Sequence, residues 1–200
     1  IIVTVLFACL IGSALLFYAG WELIIVGLLC VLFAFLYTTG PYPLSYNGWG
    51  DVLVIVFFGF VPVGGTYYVQ ALTWTSDTTV ASLICGLLID TLLVVNNYRD
   101  READARSGKR TVIVRFGEKF GRYLYLMLGM TASLLCFWFL FEGHLYAALL
   151  PLLYLIPHFL TWKRMVRIHS GKKLNSILGE TSRNMLLMGI LLSIGFLIRH

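Results

Sequence analysis

Charge is what this 200-residue sequence has least of. Only 12% of it is Asp, Glu, Lys or Arg, where soluble domains carry nearer a quarter. With 59% apolar residues and a mean hydropathy of +0.84, the shortage excludes a disordered chain, a nucleic-acid-binding domain and an ordinary cytosolic enzyme. Cysteine offers no chemistry. Cys9, Cys30, Cys85 and Cys136 sit in four different apolar runs, without the close spacing of a zinc site or redox pair. They read as small buried hydrophobes. The histidines His144, His158, His169 and His200 are scattered, with no metal-ligand spacing. Alternating ten-residue segments, the mark of a membrane β-barrel, are missing too.

What is present is long apolar runs, so the expected class is an all-α polytopic membrane helix bundle. Seven can be marked: Ile1 to Ala19, Trp21 to Thr39, Asp51 to Leu72, Thr78 to Val95, Phe120 to Phe141, His144 to Trp162 and Met185 to Ile198. Most approach the roughly 20 residues that cross a hydrocarbon core, and the last is short. Pro62, Gly64 and Gly65 interrupt the third run, and Pro151 and Pro157 the sixth. Five Trp and eleven Tyr suit interfacial belts as well as helix packing. The sequence opens inside an apolar run, with no Met, basic n-region or small-residue cleavage site. The expectation is therefore one transmembrane domain over residues 1–200, truncated at its N-terminus, rather than a signal peptide.

The basic residues are few but concentrated. Arg99, Arg101, Arg106, Lys109, Arg110, Arg115, Lys119 and Arg122 fall in or beside the connection after the fourth run. Lys163, Arg164, Arg167, Lys172, Lys173 and Arg183 follow the sixth, and only Arg199 lies elsewhere. Seven spans put both groups on one side of the membrane, which the positive-inside rule makes cytoplasmic. The opposite connections hold Glu22, Asp77 and Glu142 and no Lys or Arg.

Chemistry concentrates in residues 96–111. If the fourth span continues as a helix, Asp100 and Asp104 stack at i and i+4, with Asn96 and Asn97 one turn earlier. Two carboxylates about 6 Å apart repel unless a cation lies near them, and oxygen-only ligands favour a hard ion such as Mg²⁺. Mg²⁺ commonly bridges one or two carboxylates to a substrate phosphate. Arg106, Lys109 and Arg110 can hold the remaining diphosphate charge. A solvated, topology-setting charge run is the commoner meaning of such a loop, and from these residues alone both readings stay open. Asp90, an ionisable residue within a span, is either a functional group or a hydrogen-bonded structural one.

Two stretches carry a family resemblance. Asn96-Asn97-x-Arg99-Asp100-x-x-x-Asp104-x-x-x-Gly108-Lys109-x-Thr111, followed by Val114-Arg115-Phe116-Gly117, resembles the second aspartate-rich motif of the UbiA superfamily of intramembrane prenyltransferases. The match is nearest to 1,4-dihydroxy-2-naphthoate prenyltransferases of menaquinone biosynthesis. Tyr37-Thr38-x-Gly40-Pro41-Tyr42-Pro43-Leu44-x-Tyr46-x-Gly48-x-Gly50-Asp51, then Val56-Phe57-Phe58-Gly59, agrees with it. Pro43-Leu44 stands where hydroxybenzoate-type relatives carry a Lys-Arg pair.

The resemblance implies a nine-helix fold, seven of its transmembrane helices present here, around a cavity open to lipid. Two aspartate-rich motifs hold Mg²⁺ on a polyprenyl diphosphate at its cytoplasmic end. The prenyl group passes to 1,4-dihydroxy-2-naphthoate with loss of diphosphate and CO₂, giving demethylmenaquinone. Asp100 and Asp104 would be the metal ligands and catalytic groups. Asn96 and Asn97 would lend polar support, and Lys109 and Arg110 would contact the diphosphate. Tyr37 and Tyr42 would lie near the acceptor or cavity mouth. The family's first motif, Asn-Asp-x-x-Asp, is not found, so this piece is expected to hold half the metal site and to be inactive alone. The implied location is the bacterial inner membrane, with the lipid bilayer as partner and no nucleic acid. A relative with another acceptor, or a transporter or ion-conducting bundle using Asp90 and the loop carboxylates as a cation path, are the alternatives; the latter predicts an internal repeat, and none is evident.

Overall fold

The computed structural model describes residues 2–198; Ile1, Arg199 and His200 lie outside the described residues. The architecture is all-helical. Two apolar helices come first, α1 (Val3–Ala19) and α2 (Glu22–Thr38). Five longer ones follow: α3 (Gly50–Ala71), α4 (Ser76–Arg106), α5 (Val112–Phe141), α6 (Leu145–Ile168) and α7 (Lys172–Leu197). These five are long and apolar enough to cross a membrane. The first two are shorter, and α2 buries none of its residues. A surface of that kind, with Phe7, Phe17 and Leu28 exposed, is at home in hydrocarbon.

Helix α4 organises the rest. Thr75 caps its start, the hydroxyl accepting the Thr78 N–H at 3.1 Å. Its 31 residues extend roughly 46 Å at 1.5 Å per residue, well beyond a ~30 Å hydrocarbon core. The fourth apolar run, expected to stop at Val95, therefore continues as helix for another three turns, and Asn96 to Arg106 stand at its end. α4 packs most extensively on α5 and α3, and also on α7.

The α3–α4 seam is made by small residues. A Cβ at Gly59 would stand 2.5 Å from the Ser82 carbonyl oxygen and 2.8 Å from the Gly86 Cα. One at Gly86 would stand 2.9 Å from the Ile55 Cα. The two backbones thus touch, as small residues allow in membrane bundles. Within α3, Pro62 causes no break; residues Ile55–Gly64 widen into a π-helix, which moves the carbonyl that the ring would otherwise strike. Pro151 and Pro157 fall where α6 passes from a 3₁₀ turn (Leu150–Tyr154) to α-helix (Leu155–Ile168).

Two expected boundaries are corrected. α5 begins at Val112 rather than Phe120, its first turn set off by Gly117 at φ 86°. α7 begins its α-helix at Asn175 rather than Met185. The missed turns carry Glu180, Thr181 and Asn184, polar residues that point inward. The Asn184 amide donates to Thr161 at 3.0 Å, Tyr125 and Thr181 hydroxyls pair at 3.0 Å, and Arg164 pairs with Glu180 at 2.5 Å. Buried polar groups tolerate an apolar environment when satisfied in this way. Beside them, His158 stacks between Tyr125 and Tyr154 and meets the Tyr154 hydroxyl at 2.9 Å. Of the four cysteines, all free, only Cys136 is buried within the protein.

Candidate functional site

The two distinctive stretches of sequence meet. α4 ends at Arg106, and Gly108 takes a left-handed conformation (φ 77°) that turns the chain back. The Arg110 N–H then donates to the Tyr46 carbonyl at 2.7 Å, and Arg115 Nη2 donates to the Asn47 carbonyl at 2.7 Å. Within the first stretch, Ser45 Oγ donates to the Tyr37 carbonyl at 2.6 Å and the Asn47 amide to the Pro43 carbonyl at 2.8 Å. The result is a polar cleft of about 10 Å³, lined by Tyr37, Ser45, Asp51, Asn97, Lys109 and Thr111 among others.

Asp100 and Asp104 occupy the last turns of α4, as the i,i+4 spacing predicts, and each already has a cation. Arg99 grips Asp100 with two bonds, Nε to Oδ1 at 2.7 Å and Nη2 to Oδ2 at 2.6 Å. The same guanidinium donates to Asn96 Oδ1 at 2.8 Å and to Asn175 Oδ1 at 2.9 Å. Lys109 Nζ lies 3.4 Å from both oxygens of Asp104, a looser contact than the bidentate fork. The carboxylates remain partly open, with side chains 37% and 14% exposed.

Behind this face, Glu118 gathers Arg101 (3.1 Å), Arg122 (3.1 Å) and His169 (3.0 Å). Arg101 and Arg122 flank buried Tyr98, one over its ring at 4.5 Å and the other donating to its hydroxyl at 2.9 Å. The Arg99–Asn175 and Glu118–His169 contacts bring the two basic regions to one end of the bundle.

Of the sequence-predicted residues, Tyr37, Asn97 and Lys109 line the cleft, and Asn96, Asp100 and Asp104 stand beside it on α4. Arg110 reaches the other stretch through its backbone while its side chain is exposed. Tyr42 is 55% exposed and is not among the cleft's walls. Sequence reasoning missed the organising role of Arg99, for which its place beside Asp100 was a signal. It also missed Asn175, 76 residues away in sequence, for which there was none.

The donor set at Asp100 and Asp104 is all oxygen, which suits a hard divalent ion. Among the described residues no three His, Cys, Asp or Glu side chains converge as a metal cage. Two carboxylates fit an ion shared with a substrate phosphate rather than one enclosed by protein. On the side of the bundle, Phe58, Pro62, Tyr67, Cys85 and Ile89 line an open apolar groove of about 880 Å³ between α3 and α4.

A model of the UbiA prenyltransferase family matches residues 1–194. The chain belongs to this family. Among relatives, it is 35% identical over 182 residues to the 1,4-dihydroxy-2-naphthoate octaprenyltransferase of Haemophilus influenzae, covering 86% of this chain and 56% of that protein. It is 39% identical over 142 residues to the protein of that name from Escherichia coli, covering 68% and 46%. For the Mycobacterium tuberculosis protein of that name the figures are 44% over 119 residues, 60% and 40%. The chain thus spans about half the length of the curated relatives it matches. No solved structure matches it. The UbiA chain is an integral membrane protein of a prenyltransferase family.

Proposed function

We propose that this protein transfers a prenyl group from a polyprenyl diphosphate to 1,4-dihydroxy-2-naphthoate, releasing diphosphate and CO₂. The observation that carries the reading is the junction of the two motif stretches, where a lysine and an asparagine line one cleft at the end of a membrane helix and the Asp100–Asp104 carboxylate pair stands beside it, Asp104 held by that lysine. The relatives' names supply the acceptor. Asp100 and Asp104 are the residues that would hold Mg²⁺. When bound, the ion neutralises the diphosphate leaving group.

The chain's own side chains do the rest. Arg99 fixes the rotamer of Asp100 and hands Asn96 its orientation. Lys109 and Arg110 offer positive charge to the diphosphate, and Lys109 needs to move little to exchange Asp104 for phosphate oxygen. The groove between α3 and α4 gives an isoprenoid chain an apolar bed along the same two helices. An allylic cation survives only where water is kept out, and this surface supplies that condition.

In this reading α1 and α2 are spans as well, making seven of a nine-helix bundle in one domain over residues 1–200. Both basic regions face the cytoplasm and the membrane is the bacterial inner membrane. The contacts that join those regions at one end of the bundle support the orientation. The family's other aspartate-rich motif would complete the metal site. The test is prenyl transfer by the complete gene product in membranes. Demethylmenaquinol, the hydroquinone form of demethylmenaquinone, should form from dihydroxynaphthoate with Mg²⁺ and not with chelator. Prenylation of homogentisate or hydroxybenzoate in its place would overturn the acceptor.

A further inference from the structure

Two aspartates within the bundle are used by nothing described so far. Along the α3–α4 seam, Gly50 packs on Leu93, Ile55 on Gly86 and Gly59 on Ser82. That antiparallel register sets Asp51 opposite Asp90. Asp90 is 1% exposed. Asp51 Oδ1 and Asp90 Oδ1 are both buried with no hydrogen-bond partner. Neither residue makes an ion pair among the described residues. Two facing carboxylates in a medium of low dielectric resist ionising together.

Asp51 also lines the polar cleft, whose ~10 Å³ is room for a single water. Two titratable groups face it there. Tyr37 comes from α2, its hydroxyl within 3.6 Å of where a Gly50 Cβ would stand. Lys109 comes from the α4–α5 connection, its ammonium turned toward Asp104. The pair therefore lies one cleft away from the carboxylates of the proposed diphosphate site.

We infer that Asp51 and Asp90 share one proton and serve as the proton store of the transfer reaction, working through the cleft beside Tyr37. The inference rests on the acceptor proposed above, and the chemistry of that acceptor calls for such a store. The ring carbon bearing the carboxylate uses its π electrons to bond the allylic carbon. The neighbouring hydroxyl becomes a carbonyl and gives up its proton, which the pair accepts. The resulting β-keto carboxylate then breaks its bond to CO₂, and those electrons restore the ring. The carbonyl oxygen recovers the proton from the pair. No net proton is gained or lost, so a pair already holding one proton, able to take a second and return it, has the required capacity. In an apolar bundle no bulk water is at hand to do this.

The test uses the complete gene product in nanodiscs with ¹³C-labelled aspartate. Infrared spectra at neutral pH should show a protonated aspartate carboxyl stretch that Asp51→Asn and Asp90→Asn each shift and that the double variant removes. Dihydroxynaphthoate, without prenyl diphosphate, should shift that band, and 2-naphthoate, which lacks the hydroxyls, should not. Each Asn variant should lower kcat on the order of 100-fold with the KM for prenyl diphosphate unchanged. Asp51→Glu should recover part of the loss, which a folding defect would not allow. Absence of the band in the unsubstituted protein, or full turnover in both Asn variants, overturns the proposal. A band that dihydroxynaphthoate leaves unmoved despite saturable binding does so too, while leaving the acceptor reading intact. Failure of dihydroxynaphthoate to bind removes that acceptor and the store's role with it. The band would then still show whether the two aspartates share a proton.

Discussion

The Arg110 N–H donates to the Tyr46 carbonyl at 2.7 Å, and this one bond ties together two stretches that lie 64 residues apart in the chain. It is a backbone contact, so it depends on the turn at Gly108 rather than on the arginine side chain. Its effect is to hold Asn97 and Lys109 against the wall formed by Tyr37, Ser45 and Asp51. The cleft belongs to neither stretch by itself. Any movement of the 107–111 turn changes the cleft and the Lys109–Asp104 contact together.

Removing the charge of either α4 carboxylate should abolish transfer without unfolding the protein. Asp100→Asn and Asp104→Asn keep size and the helix end, so membrane insertion and thermal stability should stay near those of the parent. Prenyl transfer by the complete gene product should fall by a factor on the order of 10² to 10³, the range seen when a group aimed at developing charge is lost. Unchanged turnover in one variant would take that aspartate out of the site.

Arg99 makes a stronger claim than its position in the sequence suggests. One guanidinium contacts Asn96, Asp100 and Asn175, using both the Nε and the two Nη groups. A lysine cannot reproduce that planar fork. Arg99→Lys should therefore behave almost like Arg99→Ala. Each should raise the Mg²⁺ concentration needed for half-maximal transfer by about 10- to 100-fold, the usual cost of losing a residue that orients a metal ligand. A lysine variant with the parent's Mg²⁺ dependence would show that only the charge counts.

The apolar runs and the i,i+4 aspartates were legible because both depend on local spacing, which a helix converts directly into position. The end of α4 is the best case: Asn96, Asp100 and Asp104 lie where the spacing puts them. The start of α7 was hidden for a physical reason. Glu180, Thr181 and Asn184 break the apolar pattern yet face inward, because Thr161, Arg164 and Tyr125 on other helices satisfy them. No local rule contains those partners. Asp90 stood out as a cost, but its opposite number, Asp51, emerged only from the register of the α3–α4 seam. Tyr42, quoted from the same stretch as Tyr37, ended on the exposed side.

The seam makes its own prediction. A methyl group at Gly59 would meet the Ser82 carbonyl and the Gly86 backbone, and one at Gly86 would meet Ile55. Backbone cannot step aside as a side-chain tip can, so α3 must move away from α4. Gly59→Ala and Gly86→Ala should each cost about 1–3 kcal/mol, read as a lower melting temperature in detergent. By contrast Gly65→Ala, with open space around its Cβ position, should leave the melting temperature unchanged or raise it. Equal stability in all three would refute backbone contact at the seam.

The inward polar network of α6 and α7 can be tested by a double-mutant cycle. Glu180 is 8% exposed, and its two oxygens reach Arg164 at 2.5 Å and Thr161 at 3.4 Å. Arg164 is the more open partner, its side chain 55% exposed, so solvent screens part of the attraction. Arg164→Ala should destabilise the protein by about 1 kcal/mol, chiefly by leaving the Glu180 charge without its partner. Adding Glu180→Gln removes that charge, and the neutral amide can still bond Thr161. The double variant should therefore melt at a higher temperature than Arg164→Ala alone. If the two losses simply add, the arginine contributes by packing its stem and not by pairing with Glu180.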